Sequence, residues 1–156
     1  MVRTVGAMTS GPRRYERQAK KTTTSSFSTV KSDHEPGRQA ICEADTAADT
    51  CCSGINHRPI SYTGQTCEVQ GFHSDMSAMT NIPVATTATA YTDQDTGVTY
   101  ILIFNEALYF GSLMDHSLVN PNQVRASGIP VSDDPYDNTR GFGITHEDVF
   151  VPFTTQ

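Results

Sequence analysis

At 156 residues, 37% hydrophobic and 18% charged, the chain is sized for a single domain with a buried core. Its densest apolar patch, Tyr100-Ile101-Leu102-Ile103-Phe104, is strand-sized rather than membrane-spanning, and the N-terminus has no apolar segment of the secretory kind, so the expectation is a cytoplasmic protein without membrane contact. The net charge of −6 is unevenly spread: residues 1–38 hold eight basic against three acidic groups (+5), and residues 39–156 hold three against fourteen (−11).

Residues 1–38 mix charge with Ser and Thr, as in Thr22-Thr23-Thr24-Ser25-Ser26, and show neither helical nor strand periodicity. They are expected to form a basic, disordered leader closed by Pro36-Gly37. Its positive charge suits weak contacts to RNA phosphates, or no partner at all. Gln39–Ala44 alternates well enough for a strand and leads into Asp45-Thr46-Ala47-Ala48-Asp49-Thr50, a run of small, turn-compatible residues around a carboxylate. Short strands are expected at Ile60-Ser61-Tyr62 and at Cys67–Phe72, with Gly64 between them, and a loop from His73 to Asn81. Pro83–Thr92 is rich in β-branched residues, Asp93–Gly97 is a hairpin turn, and Val98–Phe104 is the return strand. Ala107–Phe110 reads as one more strand.

Leu118-Val119 ends a strand, after which Asn120 can cap a helix that starts at Pro121 and stops at Gly128. Asp133-Asp134-Pro135 is a turn, and Val149–Phe153 is a last strand. The reading is therefore mainly β with one short helix, divided into the leader, a domain over residues 39–130, and an extension over residues 131–156 with one strand.

Cys42, Cys51, Cys52 and Cys67 show no Cys-x-x-Cys pair and no zinc-finger His spacing, so neither a metal nor another cofactor is expected. A nucleophilic Cys needs a base; His57 and His73 are available, though spacing does not bring them together. Asp45 is the stronger chemical candidate. Asp followed by Thr and small residues is the minimum of one half of a two-carboxylate site, in which close carboxylates share a proton and activate water. The same residue serves equally well as a turn or N-cap Asp.

The ordered set Asp45–Thr50, Glu106-Ala107-Leu108-Tyr109-Phe110-Gly111 and His116–Gln123 leading to Gly128 resembles a retroviral-type aspartic protease, and more closely the protease segment of copia-type retrotransposon polyproteins. The resemblance implies a retropepsin-like closed barrel or half-sheet acting as a homodimer. It implies an aspartic endopeptidase whose substrate is its own polyprotein, with virus-like particles as one setting. Asp45 would then be catalytic and Thr46 would bond across the dimer axis. Ala47 would complete the catalytic triplet, and Ala48 and Asp49 would bind substrate. Leu118, Val119 and Asn120 would support the loop through a pseudo-knotted crossing, and a mobile hairpin between Thr66 and Val84 would cover the site. Two positions depart from the family pattern: Ala47 and Asn120 both stand where Gly is frequent. These departures give the alternative, an inactive remnant or domesticated module that binds peptide or dimerises.

Overall fold

In a computed structural model, the structure describes residues 2–5, 25–30, 39–70, 77–134, 136–137, 139 and 141–155. The elements in chain order are β1 (Val2–Val5), β2 (Ser25–Val30), β3 (Gln39–Ala44), β4 (Cys52–Gly54), β5 (Arg58–Val69), β6 (Met79–Thr92), β7 (Thr99–Gly111), β8 (Ser117–Val119), α1 (Pro121–Ala126), β9 (Val131–Ser132), β10 (Gly143–His146), β11 (Val149–Pro152) and β12 (Thr154–Thr155). The protein is mainly β with a short helix, as its residues predict.

A nine-stranded sheet runs β12-β2-β3-β8-β4-β7-β6-β5, with β1 also paired to β7. One edge of β7 carries β6. The other carries β1 along Ile101–Phe104 and β4 further along, both in parallel register. A second, three-stranded sheet runs β11-β10-β9. The expected closed barrel does not form. The end strands of the large sheet are β12, only two residues long, and β5, which is exposed along nearly its whole length. Among the described residues they do not pair with each other, so the ladder is not closed.

Four local expectations change. Within the expected leader, β1 and β2 are strands paired to β7 and β3; residues 6–24 and 31–38 lie outside the described residues. Val2, Val5, Phe27 and Val30 are good strand formers, and a sheet edge recruits such backbone despite a polar, charged context. The strands expected on either side of Gly64 are one strand, β5, in which Gly64 at φ +81° lies in a bulge between the Tyr62 and Thr66 pairings. Likewise β7 continues through Asn105-Glu106, where Glu106 at φ 54° provides the extra residue of a bulge. Finally, residues 131–156 contain four strands rather than one.

The Asp93–Gly97 turn forms as read. Asp93 N–H donates to Val98 O and Gly97 N–H to Asp93 O, while Asp93 Oδ1 accepts from the Thr96 amide and hydroxyl and from the Asp95 amide. After Asp134 the Asp137 N–H is bonded to Asp134 O and the Tyr136 N–H to Asp134 Oδ1; Pro135, the last residue of the expected turn, lies outside the described residues.

The main core joins distant parts of the sequence. Cys42 and Ala44 of β3, Cys51, Leu102 and Phe104 of β7, Val119 of β8 and Val124 of α1 pack in one cluster with Ile144, Val149, Val151 and Phe153. The apolar surface removed from water here binds the C-terminal strands to the same core that underlies residues 45–51.

Candidate active site

Strand β3 delivers the chain into Asp45, and β4 carries it away after the irregular stretch from Asp45 to Cys51. Strand β8 lies between those two strands, parallel to β3 (Glu43↔Leu118, Ala44↔Val119) and paired with β4 at Cys52↔Leu118. A segment from some seventy residues downstream therefore passes between the two arms of the loop, and Val119 O accepts the Asp45 N–H at 3.0 Å. Val119 is 1% exposed, whereas Leu118 is half-buried.

Asp45 is half-buried, and Thr46, Ala47 and Asp49 are exposed. The Ala47 amide donates to Asp45 Oδ1 at 2.7 Å, which fixes one carboxylate oxygen by a charge-assisted bond. Asn120 caps α1, its Oδ1 accepting from the Asn122 and Gln123 amides, and its Nδ2 donates to Ala48 O at 2.7 Å. A Gly at 120 would supply neither bond. The Asn120 amide also points at Cys51 Sγ, 3.3 Å away.

Gln123 was not visible as a site residue in the sequence. Its side chain is buried and its Oε1 accepts from Thr50 Oγ1 at 2.8 Å and from Cys51 N–H at 2.6 Å. The only local signal was a polar residue on the inward face of a short helix; its partners lie more than seventy positions away.

Behind the loop lies a sealed polar network. His57 Nδ1 is 3.1 Å from both Ser53 Oγ and Thr87 Oγ1, which are 2.7 Å from each other. Its Nε2 faces Cys42 Sγ at 3.5 Å, and its ring stacks at a tilt on Phe104 with 5.0 Å between centroids. Asn56 donates to Cys42 Sγ and Ile41 O and accepts from Ser117 Oγ, which in turn accepts from Gly54 N–H. The network ties β3, β4, β6 and β8 together.

The structure thus brings a Cys and a His together, but in a setting that denies them nucleophilic chemistry. Cys42 and His57 are buried, and burial pushes the His57 imidazole down to about 3, keeping it neutral. Burial also pushes Cys51 up to about 12. Cys52 rises to about 11, through burial first and then the nearby Asp45 and Asp49 carboxylates. These two thiols stay protonated near neutral pH and offer no thiolate. His73 lies outside the described residues.

Thr66 to Val84, where the resemblance implies a covering hairpin, takes in the paired ends of β5 and β6, whose antiparallel register runs from Arg58↔Ala88 to Val69↔Met79. Residues 71–76 at its turn lie outside the described residues, and Met79–Asn81, read as loop, belong to β6. Among the described residues no group of three or more His, Cys, Asp or Glu side chains is placed to hold a metal, and no helix is long and apolar enough to cross a membrane. The chain gives no significant match to any protein-family model, curated protein or solved structure.

Proposed function

We propose that this chain is an aspartic endopeptidase of a retrotransposon polyprotein, active as a homodimer in which each copy contributes one Asp45. The observation that carries the reading is the passage of β8 between the strands that enter and leave the Asp45 loop. That crossing leaves Asp45 accessible while its amide is held by Val119 O and one carboxylate oxygen by the Ala47 amide. A carboxylate so held is preorganised for meeting a second one.

In the proposed mechanism the two Asp45 groups share one proton. The ionised member removes a proton from water as the water oxygen attacks the scissile carbonyl carbon, and the protonated member hydrogen-bonds to the carbonyl oxygen. Collapse of the tetrahedral species breaks the C–N bond, and the Asp45 carboxyl that took a proton from water passes it to the departing amine, which returns the pair to its single shared proton. Asp49 and Ala48 bind the extended substrate backbone, and Thr46 bonds across the dimer axis. Leu118, Val119 and Asn120 hold the loop from behind. The substrate is the polyprotein itself, paired to the site as a strand.

A second reading, a silent module that binds peptide or dimerises, is favoured by one observation. Ala47 is exposed on the loop, and if the loop is the site its methyl would meet the approaching substrate backbone where glycine offers none. The deciding experiment incubates purified protein with a panel of extended peptides from mildly acidic to neutral pH, with and without a statine-type inhibitor. Inhibitor-sensitive cleavage that vanishes in Asp45→Asn supports the enzyme. A folded dimer that cleaves nothing supports the silent module, and cleavage surviving in Asp45→Asn removes Asp45 from the chemistry.

A further inference from the structure

We infer that Gln123 is a positioning residue that sets Asp49 for substrate binding, an inference that rests on the proposed peptidase reading. Gln123 Oε1 is the common acceptor of Thr50 Oγ1 and Cys51 N–H. Because a backbone amide only donates, the orientation of the Gln123 amide is fixed by Cys51. Both lone pairs of the oxygen are used, in a setting where the Gln123 side chain is buried, so no water substitutes cheaply for it.

The consequence falls on Asp49. On one side, Ala48 O is tied to Asn120 Nδ2; on the other, Thr50 and Cys51 are tied to Gln123. Asp49 itself is exposed between these two anchors, both of which belong to the first turn of α1 and its cap. Asp45 is held by a different pair of bonds, from its amide to Val119 O and from the Ala47 amide to its carboxylate. The loop is thus fixed in two separate halves. Releasing the Gln123 half frees Asp49 while the Asp45 half keeps its own bonds.

The test compares Gln123→Met, which keeps an unbranched side chain but removes the acceptor, with Gln123→Glu, which retains one. Each is assayed on the best-cleaved peptide of the panel, and amide hydrogen exchange is followed over residues 46–51. Gln123→Met is expected to raise KM about tenfold or more while kcat changes less than about threefold, the signature of lost binding rather than lost chemistry. Gln123→Glu restores KM towards the wild-type value, and Gln123→Met speeds exchange at Cys51 while β6 and β7 stay protected. An unchanged KM, or a fall in kcat alone, overturns the inference, as does unaltered exchange at Cys51. If the wild-type protein shows no Asp45-dependent cleavage, the peptidase reading fails by itself, and the exchange data still decide whether Gln123 holds the loop.

Discussion

Two polar regions lie back to back in this protein and differ in what surrounds them. The Asp45–Thr50 loop is largely open to solvent and is held by bonds at its margins. The Ser53–His57–Thr87 network with Cys42, Asn56 and Ser117 contains a broader set of reactive side-chain types, yet every one of these residues is buried. Burial makes the second region structural: its groups satisfy one another, and His57 is kept neutral. Reactive residue types announce chemistry only where a substrate and water can reach them.

The sharpest way to break this contrast is to disable one residue from each region. Asp45→Asn should lower peptide cleavage by about a thousandfold or more, in line with losing an essential acid–base group, while thermal unfolding barely moves. His57→Ala should do the opposite, costing on the order of 3 kcal/mol through the cavity and the hydroxyls left without a partner. Parallel rate and urea-unfolding measurements on the two variants would expose any mixing of the roles.

Next in size is Gly54→Ala. A Cβ there would sit 2.0 Å from His116 O and 2.7 Å from Met114 O, both backbone atoms, so β4 and the chain entering β8 would have to separate. A loss of about 2–3 kcal/mol, the upper range for overpacking, is expected in equilibrium unfolding; a variant as stable as the parent would mean the crossing is looser than its geometry.

The pH dependence sharpens the contrast further. His57 is lowered by burial from 6.5 to about 3, so the unfolded chain takes up this proton first as pH falls. Its contribution to stability is complete above about pH 6.5 and is lost as pH drops towards 3, at up to about 1.4 kcal/mol per pH unit. Urea titrations at several pH values should show this slope, and it should flatten in His57→Gln; an equal slope in both proteins would assign acid sensitivity to other groups.

The smallest effect belongs to Asn120→Gly. It removes the cap and the tie to Ala48 O, so a destabilisation of about 1 kcal/mol is expected. Greater stability in the Gly variant would show that the three Asn120 side-chain bonds contribute nothing net.

What the sequence disclosed follows from how local each signal is. The Asn120 cap, Pro121 at the helix start and the Asp93–Gly97 turn are encoded within a few residues of each other, and all formed as read. The bulge at Glu106 was hidden because a non-glycine residue occupies a positive φ there. Strand β10 went unread because it starts at Gly143, a residue type depleted in strands. In the structure, a Cβ at Gly143 would come within 2.4 Å of Val151 O, so close strand packing accounts for that glycine. The Asp45 loop was legible as a chemical candidate, yet Gln123 and the Cys42–His57 contact were not. Each depends on partners that only the completed sheet brings together.

The insertion of β8 between β3 and β4 also sets an order of events during synthesis. The bonds that complete the loop, from Ala48, Thr50 and Cys51 to Asn120 and Gln123, span 72 or 73 positions of sequence, and contacts of such separation form late. A nascent chain that has reached β7 already contains Asp45 but none of the β8 and α1 residues that pin its loop from outside. Under the proposed activity, the cutting machinery matures only after α1 has been made, which gives a growing polyprotein time to lengthen before it can process itself.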